Sequence, residues 1–397
     1  MKHFKRPQLA AEIASELCGK STLSDAPNGL FLAAARRTGK SEFLMQDLRP
    51  ALEDHGFLVV YVDLWADKKR SPMDLIAFEL APAFNKSMGM VAQLAKGSGL
   101  DSLNIAGVKI DTSKIGKTDG MTLHRVLSLI RQQSGKAIAL IIDEAQHALT
   151  TEDGDATMSA LKSARDQMRD ADGSGLVLVM SGSHRDKLMR LLNTAAAPFW
   201  GSRVRPLPTL GTPFVAQIAN DLRRQRPELL ALDQTALDQA FRLCGERPQF
   251  FFQIVSEALA DSRDAASFSG RIRDLARMMR EHDRDGLSQI YLSLSPLEQA
   301  VLEHLLDQGI TFHAFDAAAL AFYSQRVGKK VSAAQAQKAM NNLRENEPPL
   351  VWRSLRGEYS LYDADLQDWH SYLTGINAWP PTHREPPAKP PEPPEPD

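Results

Sequence analysis

The sequence predicts an α/β protein: a parallel sheet with helices on both faces, followed by an all-helical stretch and then a winged-helix domain. Three observations carry that reading. A short apolar strand pattern, Leu30-Phe31-Leu32-Ala33, runs into a Gly-Lys-Ser turn and a helix, the context that a phosphate-binding loop (P-loop) requires. Further buried-strand runs alternate with helical patterns as far as about Leu210, the mark of a parallel sheet wrapped by helices. Beyond Thr212 the strand signal vanishes until two short runs, Leu350 to Arg353 and Tyr359 to Tyr362. These close a set of three helical patterns in the manner of a winged helix.

A chain of 397 residues should hold two or three domains, each able to bury a core of its own. Net charge is −2, which excludes a global basic field drawing the protein to nucleic acid, so any DNA contact needs a local patch. Cys18 and Cys244 are too few for a disulfide framework and lack metal-site spacing, which fits a reducing cytosol. The charged start, Met1 to Pro7, has no signal-peptide core, and the apolar runs fall far short of the ~20 residues that span a bilayer. A cytoplasmic protein with no membrane partner is expected.

In chain order, Phe4 to Cys18 reads as an amphipathic helix with Leu9, Ile13 and Leu17 on one face. Ala35-Arg36-Arg37-Thr38-Gly39-Lys40-Ser41 is the loop, and Glu42 to Leu48 begins the next helix. Backbone N–H groups of the loop and of the helix start at Glu42 would point at phosphates. Lys40 would reach the outer phosphates and the Ser41 hydroxyl would ligate Mg²⁺, so ATP and Mg²⁺ are the expected ligands. The first glycine of the GxxxxGK[ST] pattern is Ala34 here. Alanine lacks glycine's freedom at positive φ, so the turn into the loop must use an ordinary conformation.

Gly56 to Leu64 is a second buried strand with Asp63 near its end, and Pro72 to Phe84 is a helix. Residues Lys96 to Asp119 are rich in Gly, Ser and Lys, with a hairpin pattern at Leu103, Ile105, Val108 and Ile110. This stretch reads either as a contact loop for DNA or a partner, or as a solvated surface loop. After a helix over Thr122 to Gln133, Ala137 to Ile142 forms a buried strand that ends in adjacent carboxylates. Asp143 would hold Mg²⁺ through water, and Glu144 would orient or deprotonate the attacking water. A helix over Ala156 to Arg169 leads to a last buried strand, Gly175 to Met180, ending Ser181-Gly182-Ser183.

ARRTGKS followed by LIIDEAQ resembles the ATPases of the AAA+ superfamily, within it the archaeal-type ATPase group and the wider clade of signalling ATPases and origin-recognition-like proteins. Ala34 and Ala35 stand where that group usually has Gly-Pro. GEYSLYDADLQDW, near the end of the chain, is similar to the run that closes the same group. The resemblance implies a P-loop ATPase core over 1–211, a helical lid over 212–286 and a winged-helix domain over 287–376. It implies that the first segment lies near the adenine, with Phe4 and Arg6 as candidates, and that Ser181 or Ser183 senses the γ-phosphate. Within PFWGSRVRPLPTL, Arg203 or Arg205 would be a finger reaching a neighbouring subunit's nucleotide in a homo-oligomer; two surface arginines on a strand flank fit the same residues. In the lid, Arg247 of Cys244-Gly245-Glu246-Arg247-Pro248 would be a nucleotide sensor.

Lid helices are expected over Phe214 to Gln225, Asp233 to Cys244, Pro248 to Leu259 and Gly270 to Asp285. Arg273, Arg277, Arg280 and Arg284 line one face of the last, with Asp274, Glu281, Asp283 and Asp285 neutralising it. Ser295-Pro296-Leu297-Glu298 is a capping box that opens the winged helix. The third helix, Ser332 to Asn346, turns Ala336, Ala339, Met340 and Leu343 inward and leaves Gln335, Lys338 and Asn342 outward, beside Arg353 and Arg356. Duplex DNA would dock through 332–361. Against this, Leu287 to Gly375 carries seven Lys/Arg and ten Asp/Glu, whereas DNA readers are basic on the docking face. Two functions follow: an ATP-binding and ATP-hydrolysing switch coupled to DNA, or a signalling or defence-type ATPase whose winged helix is an intramolecular gate or a protein-partner module. The tail, 377–397, is Pro- and Glu-rich and reads as disordered or polyproline.

Overall fold

A computed structural model describes residues 3–19, 26–97, 121–169, 175–183, 185–192, 197–353, 358–363 and 365–382. The chain divides into two compact units, 1–276 with 353–358, and 277–352 with 359–397. The hairpin expected at 103–110 and the tail beyond 382 lie outside the described residues. Among the described residues, no helix is long and apolar enough to cross a membrane.

The first unit opens with α1 (Pro7–Leu17) and strand β1 (Leu30–Ala33). The helix after the loop is broken into α2 (Lys40–Phe43), a π-helical turn (Leu44–Leu48) and α3 (Arg49–Asp54). Pro50 accounts for the widened turn, because it has no N–H to carry on the i→i−4 ladder. Then follow β2 (Leu58–Asp63), α4 (Pro72–Gly97), α5 (Leu123–Ser134), β3 (Ile138–Asp143), α6 (Gly154–Gln167), β4 (Leu176–Gly182), α7 (Arg185–Arg190) and β5 (Val204–Pro206). The helix expected to stop at Phe84 runs on to Gly97.

The five strands are all parallel, in the order β2-β3-β4-β1-β5. Alternate residues show why both faces are covered. Leu30, Leu32, Ala139, Ile141, Val177 and Val179 share one core with α1 and the loop helix. Residues of the other parity, such as Phe31, Leu140 and Leu178, are also buried, as a parallel sheet between two helical layers demands. Register sets the site: Ala33 is level with Gly182, and Asp63 with Asp143. The loop after β1 therefore opens beside the ends of β4 and β3, at the carboxyl edge where such sheets bind ligands.

The lid follows as α8 (Gly211–Gln225), α9 (Gln234–Leu243), α10 (Pro248–Asp261) and α11 (Ala265–Ser293). Phe214 is its hub, with ring centres of Phe4 and Phe241 at 5.6 and 5.1 Å. Such pairs add about 0.5–1.5 kcal/mol each beyond area burial. Helix α11 has 29 residues and carries without a break through the 286/287 boundary expected from the sequence.

The second unit holds α12 (Pro296–Gln308), α13 (Ala317–Val327), α14 (Ala333–Glu345), the hairpin of β6 (Val351–Arg353, whose last residue is grouped with the first unit) and β7 (Tyr359–Leu361), and α15 (Asp365–Gly375). The expected three helices and hairpin are present, and Ala336, Ala339, Met340 and Leu343 are buried as the periodicity requires. Helix α15 is an addition that the sequence reading did not assign. Trp379, within the stretch expected to be tail, packs on Tyr291 and Trp369 at ring-centre distances of 4.9 and 5.4 Å.

Candidate functional site

The loop conforms to the sequence in detail. Ala34 keeps a negative φ, as alanine must, and its N–H donates to Gly182 O at 3.1 Å. The left-handed turn falls instead on Arg37 (φ 66°) and Gly39 (φ 84°). A non-glycine residue adopts that region only where its surroundings impose it. Thr38 Oγ1 closes the turn by donating to Ala35 O at 2.7 Å.

Five side chains converge below it. Lys40, only 6% exposed, puts Nζ on Asp143 Oδ1, with Glu144 Oε1 at 3.1 Å and Ser181 Oγ at 3.4 Å. Ser41 Oγ donates to Asp143 Oδ2 at 2.5 Å, and Ser181 Oγ donates to Oδ1. The sheet order β3-β4-β1 puts Ser181, on β4, between the loop and the acidic strand. Burial pushes the Asp143 carboxyl up, but the Lys40 charge and the hydroxyl donors outweigh it and hold the group below the usual carboxylate range.

Two partners, Tyr61 and Gln146, carried no expected role, and Ser183, a candidate γ-phosphate sensor, is found on Glu144. Tyr61 OH donates to Asp143 Oδ2 at 3.0 Å; burial and the Asp143 charge push the phenol far above its ordinary value, so it stays a donor. Gln146 Nε2 donates to Glu144 Oε2, and Ser183 Oγ does so at 2.9 Å. Gln146 sits inside the quoted DEAQ run, and Tyr61 shares the strand face of Asp63 two residues on, but only the β2–β3 register aims it at Asp143. Asp63 accepts from Trp65 N at 2.8 Å, and burial raises its carboxyl.

The other expected residues are placed as follows. Arg36 lies over the Trp65 ring at 5.5 Å. Arg37 and the lid's Arg247 both face the ring of Phe250, at 4.9 and 5.8 Å, so the sensor candidate and the loop meet through one aromatic. Glu42 turns its carboxylate to His3 Nδ1 at 3.4 Å, away from the Lys40 cluster. Arg6 donates to Pro208 O at 2.8 Å and stacks on Phe43 at 4.5 Å, while Phe4 packs on the lid. Arg205 forms a two-pronged pair with Glu16 at 2.7 and 3.1 Å, and Arg203 is exposed.

The donor set suits a magnesium nucleotide. Ser41 Oγ and Asp143 Oδ2 are hard oxygens held side by side. Mg²⁺ favours one or two carboxylates completed by phosphate oxygens and water over an all-protein cage. Among the described residues no cluster of three or more His, Cys, Asp or Glu could hold a metal alone.

No family model and no curated protein matches this chain. Solved structures to which it is similar include the Aeropyrum pernix ORC1 protein in complex with DNA, at 14% identity and TM-score 0.42, covering 95% of this chain and 94% of that one. The Aeropyrum pernix ORC2 protein in its ADP form stands at 14% identity and TM-score 0.48, covering 94% and 93%. Cdc6p from Pyrobaculum aerophilum stands at 13% and 0.33, covering 95% and 96%. Identities and scores are low throughout, and the α/β sheet and its loop rest on this chain's own residues.

Proposed function

We propose that the chain binds magnesium ATP at the loop and hydrolyses it at the β–γ bond, as a nucleotide-driven switch of AAA+ type. The observation that carries this reading is the convergence of Lys40, Ser41, Asp143, Glu144 and Ser181 at the carboxyl edge of a parallel sheet. Lys40, Asp143 and Ser181 are buried, with Glu144 half-buried and Ser41 at the surface end of the cluster; a buried cation and carboxylate serve no packing purpose that apolar residues would not serve better.

Bound magnesium supplies charge that offsets the outer phosphates. Lys40 turns from Asp143 and Glu144 to the outer phosphates, and the loop N–H groups face the same oxygens. Asp143 and Ser41 are the residues that would hold the metal, through their oxygens. Glu144 accepts the proton of the attacking water. As the water oxygen bonds to the γ-phosphorus, the bridging bond breaks and its electron pair leaves with the diphosphate oxygen, beside Lys40. Ser181 stands where a donor meets the transferring group. Arg203, exposed on the flank of β5, is the better finger for a neighbouring copy, because Arg205 must first release Glu16.

For the winged helix, one pair of contacts favours the gate or protein-contact reading over base reading. Gln335 is spent on its own helix, accepting from Ser332 N at 2.9 Å, and Asn342 donates to Glu298 Oε1 at 2.6 Å. Lys338 remains exposed for phosphate contact.

The test is calorimetric titration with magnesium ATP together with phosphate release, on the parent, Lys40→Ala and Glu144→Gln. Binding lost in the first variant and hydrolysis alone lost in the second is the expected pattern. Unchanged affinity in Lys40→Ala overturns the proposal.

A further inference from the structure

Glu144 is gripped from one side. Its Oε2 accepts from Gln146 Nε2 and from Ser183 Oγ at 2.9 Å, with the Ser183 N–H at 3.4 Å. Its Oε1 meets Lys40 Nζ at 3.1 Å. The residue's own backbone is left-handed, at φ 53°, so the carboxylate's direction is imposed by its setting.

Gln146 is held at a cost. It is 4% exposed, and its Oε1 has no donor among the described residues. Burying an unpaired carbonyl oxygen is unfavourable, yet turning the carboxamide over would give up Glu144. Gly182 leaves the room this arrangement needs: a Cβ there would lie 2.4 Å from Gln146 Oε1. Its φ is not positive, so the absent side chain serves space and not backbone freedom.

We propose that Gln146 and Ser183 are positioning residues that hold Glu144 by Oε2, so that Oε1 is the oxygen presented to the attacking water once Lys40 turns to the phosphates. Gly182 is the gap that admits Gln146. The inference rests on the hydrolytic reading above and adds which oxygen acts and what aims it. Two donors on one oxygen fix the carboxylate plane, and a misaimed base loses rate steeply. The water's proton goes to Oε1 as its oxygen bonds to phosphorus, and passes on to the departing phosphate.

The test uses the full chain, with magnesium ATP affinity from calorimetry and kcat from phosphate release. Gln146→Ala should lower kcat on the order of tenfold to a hundredfold and leave affinity unchanged. Gly182→Ala should do the same by displacing Gln146, and should add nothing once position 146 is alanine. Ser183→Thr should recover the rate lost in Ser183→Ala. In a Glu144→Gln background, Gln146→Ala should leave the residual rate alone, because no carboxylate remains to be aimed. The clamp is overturned by a Gln146→Ala protein that turns over at the parent rate, or by an equal proportional loss in the Glu144→Gln background. A Glu144→Gln protein as active as the parent overturns the hydrolytic reading instead, and the two failures are told apart by which variant keeps its rate.

Discussion

The Gly-Lys-Ser loop and the winged helix use the same polar residue types to opposite ends. In the winged helix, Ser295 and Ser332 accept from the N–H groups of Glu298 and Gln335, and those residues answer the serines in two capping boxes. Their partners are helix ends, which stay in place as long as the fold does. Around the loop, Lys40, Asp143, Glu144, Ser41 and Ser181 bind one another's side chains. On the proposed reading, a ligand's oxygens replace some of those partners while the fold stays in place. Polar groups bound to backbone ends read as architecture; polar groups bound to each other around a buried lysine are what the proposed site requires.

The largest effect expected of that contrast is catalytic. Glu144→Gln should lower hydrolysis by about 10²–10⁴-fold, the span of a lost general base, while magnesium ATP still binds; single-turnover phosphate release would show it. Next, Lys40→Ala should weaken nucleotide binding by about 3 kcal/mol or more, roughly 100-fold, with an unfolding midpoint close to the parent's. Met340→Ala, at a fully buried position of the winged helix, should reverse the pattern. It should cost about 2–5 kcal/mol of stability and leave ATP affinity alone, as denaturant melts paired with titration would report. Asn342→Ala should cost the winged helix only about 0.5–1.5 kcal/mol through its bond to Glu298. An Asn342→Ala protein with changed sequence preference on duplex DNA and unchanged stability would break the comparison, by moving that residue from architecture to recognition. The double variant Arg353→Ala, Arg356→Ala sharpens the same point: any duplex binding should show a salt slope shallower by about two units, measured by fluorescence anisotropy.

The strands, the loop and the acidic pair were legible because each is local. Apolar runs of strand length flank a Gly-Lys-Ser turn, and a buried run ends in Asp143-Glu144. The inward stripe of α14 was legible from helical spacing alone. Helix lengths were less so. Asn85 to Lys96 mixes good helix formers with Ser87 and Gly89, and α4 continues through them. Helix α15 carries Leu366, Trp369 and His370 on its buried face, but the short run offered no strong boundary. Tyr61 and Gln146 could not be placed by spacing. Tyr61 reaches Asp143 only through the β2–β3 register, and Gln146 reaches Glu144 only because Gly182, on another strand, makes way.

The self-bonding of Lys40 with Asp143 has a kinetic side. On the proposed reading, a lysine engaged with Asp143 keeps the loop from receiving phosphate, so the measured affinity would be the intrinsic affinity scaled by the fraction of molecules in an open form. Ser181→Ala removes one bond from the closed form and should raise that fraction. Nucleotide would then arrive faster and be held more tightly, even as the same substitution takes a donor from the reaction. A gain in association rate beside a loss in turnover would mark the lysine cluster as a latch that sets how often the site is open for business.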